Sequence, residues 1–414
     1  MGRWTLRLLV GLGLLAILLA CCHAEANYCF ASRAKSCSEC LQAGEGCAYC
    51  PEEDFNGPRC DFYKNILAHG CSEATIISAK SSLEIEKKIK INTEYQQSQV
   101  SPQQVSMTFL PGEEKLLDVE VFAPTKSPLD LYILMDFSNS MKDDLDNLKR
   151  MGNDLASLVL KMSNEPTIGF GKFVDKVIEP QTDMRPSKLE KPWPNSDPPF
   201  SFQNVIKLTS NVEAFIQELQ KERISGNLDA PEGGFDAILQ AAVCENEIGW
   251  RKHSTHLLVF STESAFHYEA DGINVLSGIL QRNDELCHLD PEGKYTEATK
   301  QDYPSIPTLV RLLGKHNIIP IFAVTNHSYT HYSMLKEYFP IAEVGLLQED
   351  SSNILQVMET AFESIRSKMS IRAEDKPKAF EAQFLKTNGQ IAQYGAFDVK
   401  PGEILVTMSS PPSL

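Results

Sequence analysis

The stretch Leu131–Asp144, LYILMDFSNSMKDD, decides how this chain is read. Leu131 to Met135 is an unbroken apolar run of the length expected for a buried strand. It breaks at Asp136, with Ser138 and Ser140 following at alternate positions, and Lys142, Asp143 and Asp144 stand at an expected helix start. Short, hard oxygen donors at i, i+2 and i+4 on a strand-to-helix loop suit a small divalent cation. A plainer role is capping of the helix by Ser140 or Asp143, with Asp143 and Asp144 favoured by the helix dipole. The loop alone does not separate the two.

Working outward, apolar strand-like runs recur at Leu131–Phe137, Ile168–Val174, His256–Thr262 and Ile318–Thr325. Between them lie helical patterns. The first places Leu145, Leu148, Met151, Leu155, Leu158 and Met162 on one face, and others fit Val212–Glu222, Phe235–Ile248, Ile306–Lys315 and Ile354–Lys368. Continuous apolar strands alternating with helices predict a doubly wound α/β domain over about 128–369, its parallel sheet covered on both faces. Two segments interrupt it: the proline-rich Pro180–Val205 around Trp193, expected as an irregular loop, and Glu263–Tyr303. Both flanks read as β, with Leu83–Ile91, Val105–Leu110, a Pro111-Gly112 turn and Leu116–Phe122 before, and Ala379–Leu385, Gly395–Val399 and Ile404–Met408 after.

Residues 1–26 read as a signal peptide: Arg3 and Arg7, an apolar run from Leu8 to Ala20, then Ala24-Glu25-Ala26. No later stretch is long and apolar enough for a transmembrane helix, so the expectation is a soluble mature protein or a shortened form of a membrane protein. Of 11 cysteines, Cys21 and Cys22 fall in the leader, and seven crowd between Cys29 and Cys71. Cys37-x-x-Cys40 and Cys47-x-x-Cys50 could suggest zinc, but they lie closer together than zinc-ribbon pairs, and a leader favours disulfides. Seven is odd, so one cysteine there pairs elsewhere or stays free. The formal net charge of -16 argues against nucleic-acid binding and suits a surface that gathers divalent cations.

Three further oxygen-bearing segments sit at expected loop positions. Arg223–Gly234, RISGNLDAPEGG, carries Asn227, Asp229 and Glu232; Thr262-Glu263 follows one strand; Asp175 ends another. Each by itself fits a solvated turn. Together with Asp136 they place oxygen donors at four strand ends, where open α/β sheets form their sites, and favour a metal site. Asn326-His327-Ser328 is a glycosylation sequon.

Asp136-x-Ser138-x-Ser140 with Met141-Lys142-Asp143-Asp144 resembles the metal-ion-dependent adhesion site of integrin beta subunits. Ser225–Asp236 and the seven-cysteine module resemble the same family, across nearly the whole mature chain. The resemblance implies a plexin-semaphorin-integrin (PSI) module at 27–73 and a von Willebrand A-like (VWA, I-like) domain at 128–369. The latter would be inserted in a β-sandwich hybrid domain, 74–127 and an incomplete 370–414. It implies Mg2+ (or Mn2+) at Asp136, Ser138, Ser140 and Glu232, with Glu263 where siblings usually have Asp. An adjacent Ca2+ would use Ser140, Asp143, Asp144 and a backbone carbonyl near Glu349. A flanking Ca2+ would use Asp175, Asn227, Asp229, the Pro231 carbonyl and Glu232.

The implied disulfides are Cys29–Cys47, Cys40–Cys60, Cys50–Cys71 and Cys244–Cys287, with Cys37 pairing to a cysteine of a later domain that this chain lacks. Pro180–Val205 would be the specificity-determining loop, here without the disulfide many siblings carry, and Ile273 stands where several place a basic residue. Tyr132–Ser140 and Trp193–Ser201 look most like one branch of the family. That branch implies an integrin alpha-6 partner, laminin as matrix ligand, and a cell-surface, hemidesmosomal location. Two other readings are a secreted VWA-type matrix protein without an alpha partner and a metal-dependent phosphatase with Asp136 as nucleophile. The phosphatase would want a second Asp two residues on, where this chain has Ser138.

Overall fold

A computed structural model describes residues 27–92, 98–109, 113–272, 280–375 and 381–410. The leader with Cys21 and Cys22, the Pro111-Gly112 turn, Ile273 and the beginning of Ala379–Leu385 lie outside the described residues.

The N-terminal module is built on its sulfurs. Cys29–Cys47, Cys40–Cys60 and Cys50–Cys71 are disulfides, and they staple a three-stranded sheet of β1 (Cys47–Tyr49), β2 (Cys60–Phe62) and β3 (Ile77–Ser78). The half-cystines are the core itself: Cys29, Cys40, Cys47 and Cys60 pack with Ala34, Ala43, Tyr49 and Phe62 around them. A module this small has too little apolar surface to fold without such staples. The paired cysteines exclude a zinc site of CxxC type. Cys37 is unpaired and partly exposed.

Next come β4 (Ser82–Lys87), β5 (Val100–Ser101), β6 (Gln104–Thr108) and β7 (Leu117–Phe122), and after the α/β domain β14 (Lys368–Ser370), β15 (Gln383–Leu385), β16 (Ala396–Asp398) and β17 (Ile404–Ser410). β17 pairs antiparallel with β7, Ile404 opposite Phe122, in a four-stranded sheet of order β15-β17-β7-β5. Strands from both flanks are therefore neighbours, and the α/β domain is an insertion between them.

That domain holds a six-stranded sheet of order β10-β9-β8-β11-β12-β13, with β8 Leu129–Asp136, β9 Pro166–Phe173, β10 Phe202–Thr209, β11 Thr255–Thr262, β12 Ile318–Thr325 and β13 Glu343–Leu347. β8 is central and every residue in it is buried. Leu131, Ile133 and Met135 face one apolar cluster while Tyr132 and Leu134 face the other, so helices cover both faces. β8, β9, β11, β12 and β13 run parallel.

The sheet departs from the expected all-parallel form at β10, which is antiparallel to β9. Its partly exposed Gln203 and Asn204 and exposed Lys207 break the apolar run, as an edge strand with a wet face allows. The expected irregular loop Pro180–Val205 therefore ends in strand, and it also holds a short helix, Pro186–Glu190. The helical pattern of Leu145–Met162 splits into α1 (Lys142–Arg150) and α2 (Gly152–Met162) at non-helical Met151. Phe235–Ile248 becomes α4 (Gly234–Val243) and a short turn, breaking at Cys244, which is bonded to Cys287. Between these lies α3 (Val212–Leu219), and α5 (Ile306–Lys315), α6 (Tyr329–Lys336) and α7 (Ile354–Arg366) follow.

Candidate functional site

The donors converge at the carboxyl ends of β8, β9 and β11, and backbone clamps bring the remaining loop to them. Ser225 N donates to Phe137 O at 2.8 Å, Gly233 N to Val174 O at 2.8 Å, and Glu232 N to Ala265 O at 3.0 Å. The loop Asn227–Glu232 is thus stitched to three strand ends. Gly233 is required there: a Cβ would lie 2.7 Å from Asp175 Oδ1 and 3.0 Å from its Cα.

At the centre, Asp136 ends β8 fully buried. Its Oδ1 accepts from Ser138 N at 2.7 Å and its Oδ2 from Thr262 Oγ1 at 2.7 Å. Ser138 Oγ lies 3.3 Å from Ser140 Oγ. Burial raises the pKa of the partly buried Glu263, and Ser140 beside it opposes that shift. Glu232 is only 3% exposed; its Oε2 accepts from Asn227 Nδ2 at 2.9 Å, so this loop is no solvated turn. Helix α1 has no side-chain cap, which removes the capping role weighed for Ser140 and Asp143.

To one side, exposed Asp143 and buried Asp144 begin α1. Asp144 accepts a hydrogen bond from Ser351 Oγ on the loop before α7. Exposed Glu349 lies on that loop, and its charge acts on Glu263. To the other side, Asp175 Oδ1 accepts from Tyr303 OH at 2.5 Å and from Lys176 N at 2.7 Å. His267 Nε2 lies 2.8 Å from Asp229 Oδ2 and 3.4 Å from Asp175 Oδ2. Asn227 Nδ2 donates to Asp229 Oδ1 at 3.2 Å, and Pro231 sits partly exposed on the same loop.

All the sequence-derived donors are therefore drawn to one sheet edge. Thr262, Ser351, Tyr303 and His267 complete the set as partners. Thr262 stood beside Glu263 in the sequence; no spacing marked the other three.

Electrostatically the site is under strain. Burial pushes Asp136 up to about 6, and Asp144 and Asp175 up to about 7. Burial also carries Glu232 well above the usual carboxylate range, with Asp136, Asp175 and Asp229 adding like-charge repulsion. His267 goes the other way: burial opposes its charge, but Asp229, Asp175 and Asp271 override it and raise it to about 9. Asp144 Oδ2 and Asp175 Oδ2 are buried without a hydrogen-bond partner. Buried acceptors left unpaired are costly, and carboxylates crowded in low dielectric call for positive charge. Hard, buried oxygen donors with orphaned lone pairs fit a divalent cation.

The surrounding loop is tied to this edge. Ser225 Oγ donates to Asp197 O and Pro198 O, and Trp193 packs so closely on Gly226 that a Cβ there would sit 2.5 Å from the indole. Asn326 is exposed just past β12. Among the described residues no helix is long and apolar enough to cross a membrane.

Comparison with known sequences places these features in a family. Residues 124–369 match the family described as "Integrin beta chain VWA domain", and residues 27–72 the "Integrin plexin domain". Integrin beta-4 of Rattus norvegicus is 60% identical over 379 residues, 92% of this chain and 21% of that protein. The Homo sapiens integrin beta-4 is 58% identical over the same shares. Integrin beta-5 of Mus musculus is 39% identical over 87% of this chain and 47% of its own. The chain thus spans about a fifth of the length of the beta-4 relatives it matches.

Proposed function

The chain belongs to the integrin beta family, and we propose that it is the beta chain of a heterodimeric adhesion receptor that binds an acidic residue of a matrix protein without turnover. In this reading Asp136, Ser138, Ser140 and Glu232 hold a Mg2+, with Glu263 completing the set. Ser140, Asp143, Asp144 and the backbone near Glu349 hold one Ca2+; Asp175, Asn227, Asp229, Pro231 and Glu232 hold another. The observation that carries the reading is the convergence of buried, incompletely paired carboxylates on one sheet edge.

A divalent ion there would supply an electrophilic position for an incoming carboxylate. The protein's own groups prepare that position. Thr262 and Ser138 N fix both Asp136 oxygens, so the carboxylate cannot rotate away. The two serine hydroxyls add donors without adding charge, which leaves attraction for an outside anion. The flanking clusters would tune affinity through Glu232 and Ser140, which they share with the centre.

The same reading makes residues 27–73 a PSI module, 74–127 and 370–414 the hybrid domain, and 128–369 the I-like domain. The beta-4 likeness supports an alpha-6 partner, laminin as ligand and a hemidesmosomal cell surface as location. Cys37 would bond outside the chain, and Asn326 would carry a glycan.

The test is cell adhesion to laminin by chain co-expressed with an alpha-6 subunit. Asp136→Ala should abolish divalent-dependent adhesion while the heterodimer still reaches the surface. Adhesion that survives the substitution would overturn the role of the site.

A further inference from the structure

We propose that the cleft at the amino ends of β11 and β12 binds a medium-chain alkyl carboxylate, an anion of the fatty-acid class. Thr255 and His256 at the start of β11 and Ile318 at the start of β12 line it, so it lies at the end of the sheet away from the clustered carboxylates. It stands independently of any cation there.

The cleft has a volume of about 330 Å³, within the roughly 300–1,000 Å³ of small-molecule sites. Much of its wall is apolar. Met162 of α2, Leu313 of α5, Phe362 and Ile365 of α7, and Phe339 and Ile341 after α6 line it. Gly314 of α5 stands in the same wall. A Cβ there would meet only Arg372 Nη1, at 3.8 Å, so packing does not demand glycine. Glycine is unfavourable within a helix, and here its missing side chain leaves room in the cleft.

The charged lining is of one sign. Lys126, Arg366, Lys368 and Arg372 line the cleft, and among the described residues no aspartate or glutamate does. In a chain of net charge -16 this is a local reversal, and a cleft lined by one sign of charge concentrates ligands of the other. Three of the four cations already have carboxylate neighbours beyond the lining. Arg366 Nη1 lies 2.9 Å from Glu363, Lys368 Nζ 2.8 Å from Glu343 and Arg372 Nε 2.7 Å from Glu374. Exposed Lys126 instead donates to the neutral Asn164 Oδ1 at 3.3 Å. Lys126 is therefore the group to engage a ligand carboxylate, with the alkyl chain laid against α5 and α7. Residues 123–127 and 368–370, on the two chain crossings between the β7–β17 sheet and the inserted domain, both line the cleft. A ligand seated there touches both crossings.

The experiment is titration calorimetry of the full chain with decanoate in calcium-free buffer, beside decanol, acetate and decyltrimethylammonium. One saturable equivalent of decanoate is expected, with decanol weaker by roughly tenfold and no binding of acetate or the cationic amphiphile. Gly314→Leu should abolish decanoate binding by filling the cleft, with circular dichroism unchanged. Lys126→Glu, an exposed change that leaves the core untouched, should weaken it by roughly tenfold or more. Absence of decanoate binding, equal affinity for decanol, or full affinity in either variant overturns the proposal. So does unsaturable uptake of both charged amphiphiles, the mark of an adventitious additive only.

Discussion

Ser351 donates a hydrogen bond to Asp144, joining the loop before α7 to the start of α1 across 207 residues of sequence. Ser351 has a left-handed backbone, φ 51°, uncommon for a residue other than glycine. The bond satisfies one oxygen of a buried carboxylate and leaves the other without a partner. The same loop is tied a second time, by Asn147 Nδ2 donating to Asp350 O at 2.5 Å.

Ser351→Ala should cost about 1–3 kcal/mol in cation-free urea unfolding, because Asp144 is then buried with both oxygens unpaired. The cost should shrink when Ca2+ is present. An equal cost with and without the ion would mean that Asp144 is not a ligand.

Chelation should destabilise the protein more as pH rises. Asp136, Asp144 and Asp175 have folded pKa values of about 6, 7 and 7, above the ordinary 3.8. A carboxyl raised on folding contributes stability below its unfolded pKa and loses it as pH climbs through the folded value. His267, raised from 6.5 to about 9, has the same sign over a higher window. In EDTA the melting temperature should therefore fall from pH 5 to pH 8. Adding Mg2+ and Ca2+ should restore it, by about 2.7 kcal/mol per site at a hundredfold excess over Kd. A flat profile in EDTA would contradict the buried, like-charged site.

Lys176 and Asp236 form a fully buried ion pair at 2.5 Å beneath the site, with Lys176 also donating to Ala298 O and Gln301 O. Lys176→Met strands the Asp236 charge and should cost about 3–5 kcal/mol in chemical denaturation. Adding Asp236→Leu should recover much of that loss, since a packed apolar pair lacks the desolvation penalty.

Alkylation without reduction, read by peptide mass spectrometry, should modify Cys37 and spare the eight paired cysteines of the described residues. Protection of Cys37 in the assembled receptor would locate its partner outside this chain.

Much of the architecture was legible because it follows from local chemistry. Leu131–Met135 and Ile318–Thr325 are long apolar runs with no polar interruption, and they became the buried strands β8 and β12. Val212–Leu219 and Ile306–Lys315 start where the pattern put them because Asn211 and Ser305 cap their first turns. β10 and β13 were illegible for the converse reason. Edge strands keep a wet face, so Gln203, Asn204 and Glu343 blur the apolar signal. The split at Met151 was hidden because Leu145–Met162 keeps one apolar face through the break.

For the site, sequence alone named Asp136, Ser138, Ser140, Asp175, Asn227, Asp229, Glu232 and Glu263, since polar oxygen after an apolar strand is visible residue by residue. Tertiary structure alone supplied His267, Tyr303, Thr262 as a partner of Asp136, and Ser351. These lie 38 to 207 residues from the groups they hold, counted from the described contacts of Asp229, Asp175, Asp136 and Asp144. Periodicity records which face a residue takes within its own element; it carries nothing about which distant loop will be pinned against it. That pinning comes from the backbone bonds of Ser225, Glu232 and Gly233 to strand ends far away in sequence. Only the folded sheet edge turns separate oxygen donors into a shared, buried and incompletely paired cluster.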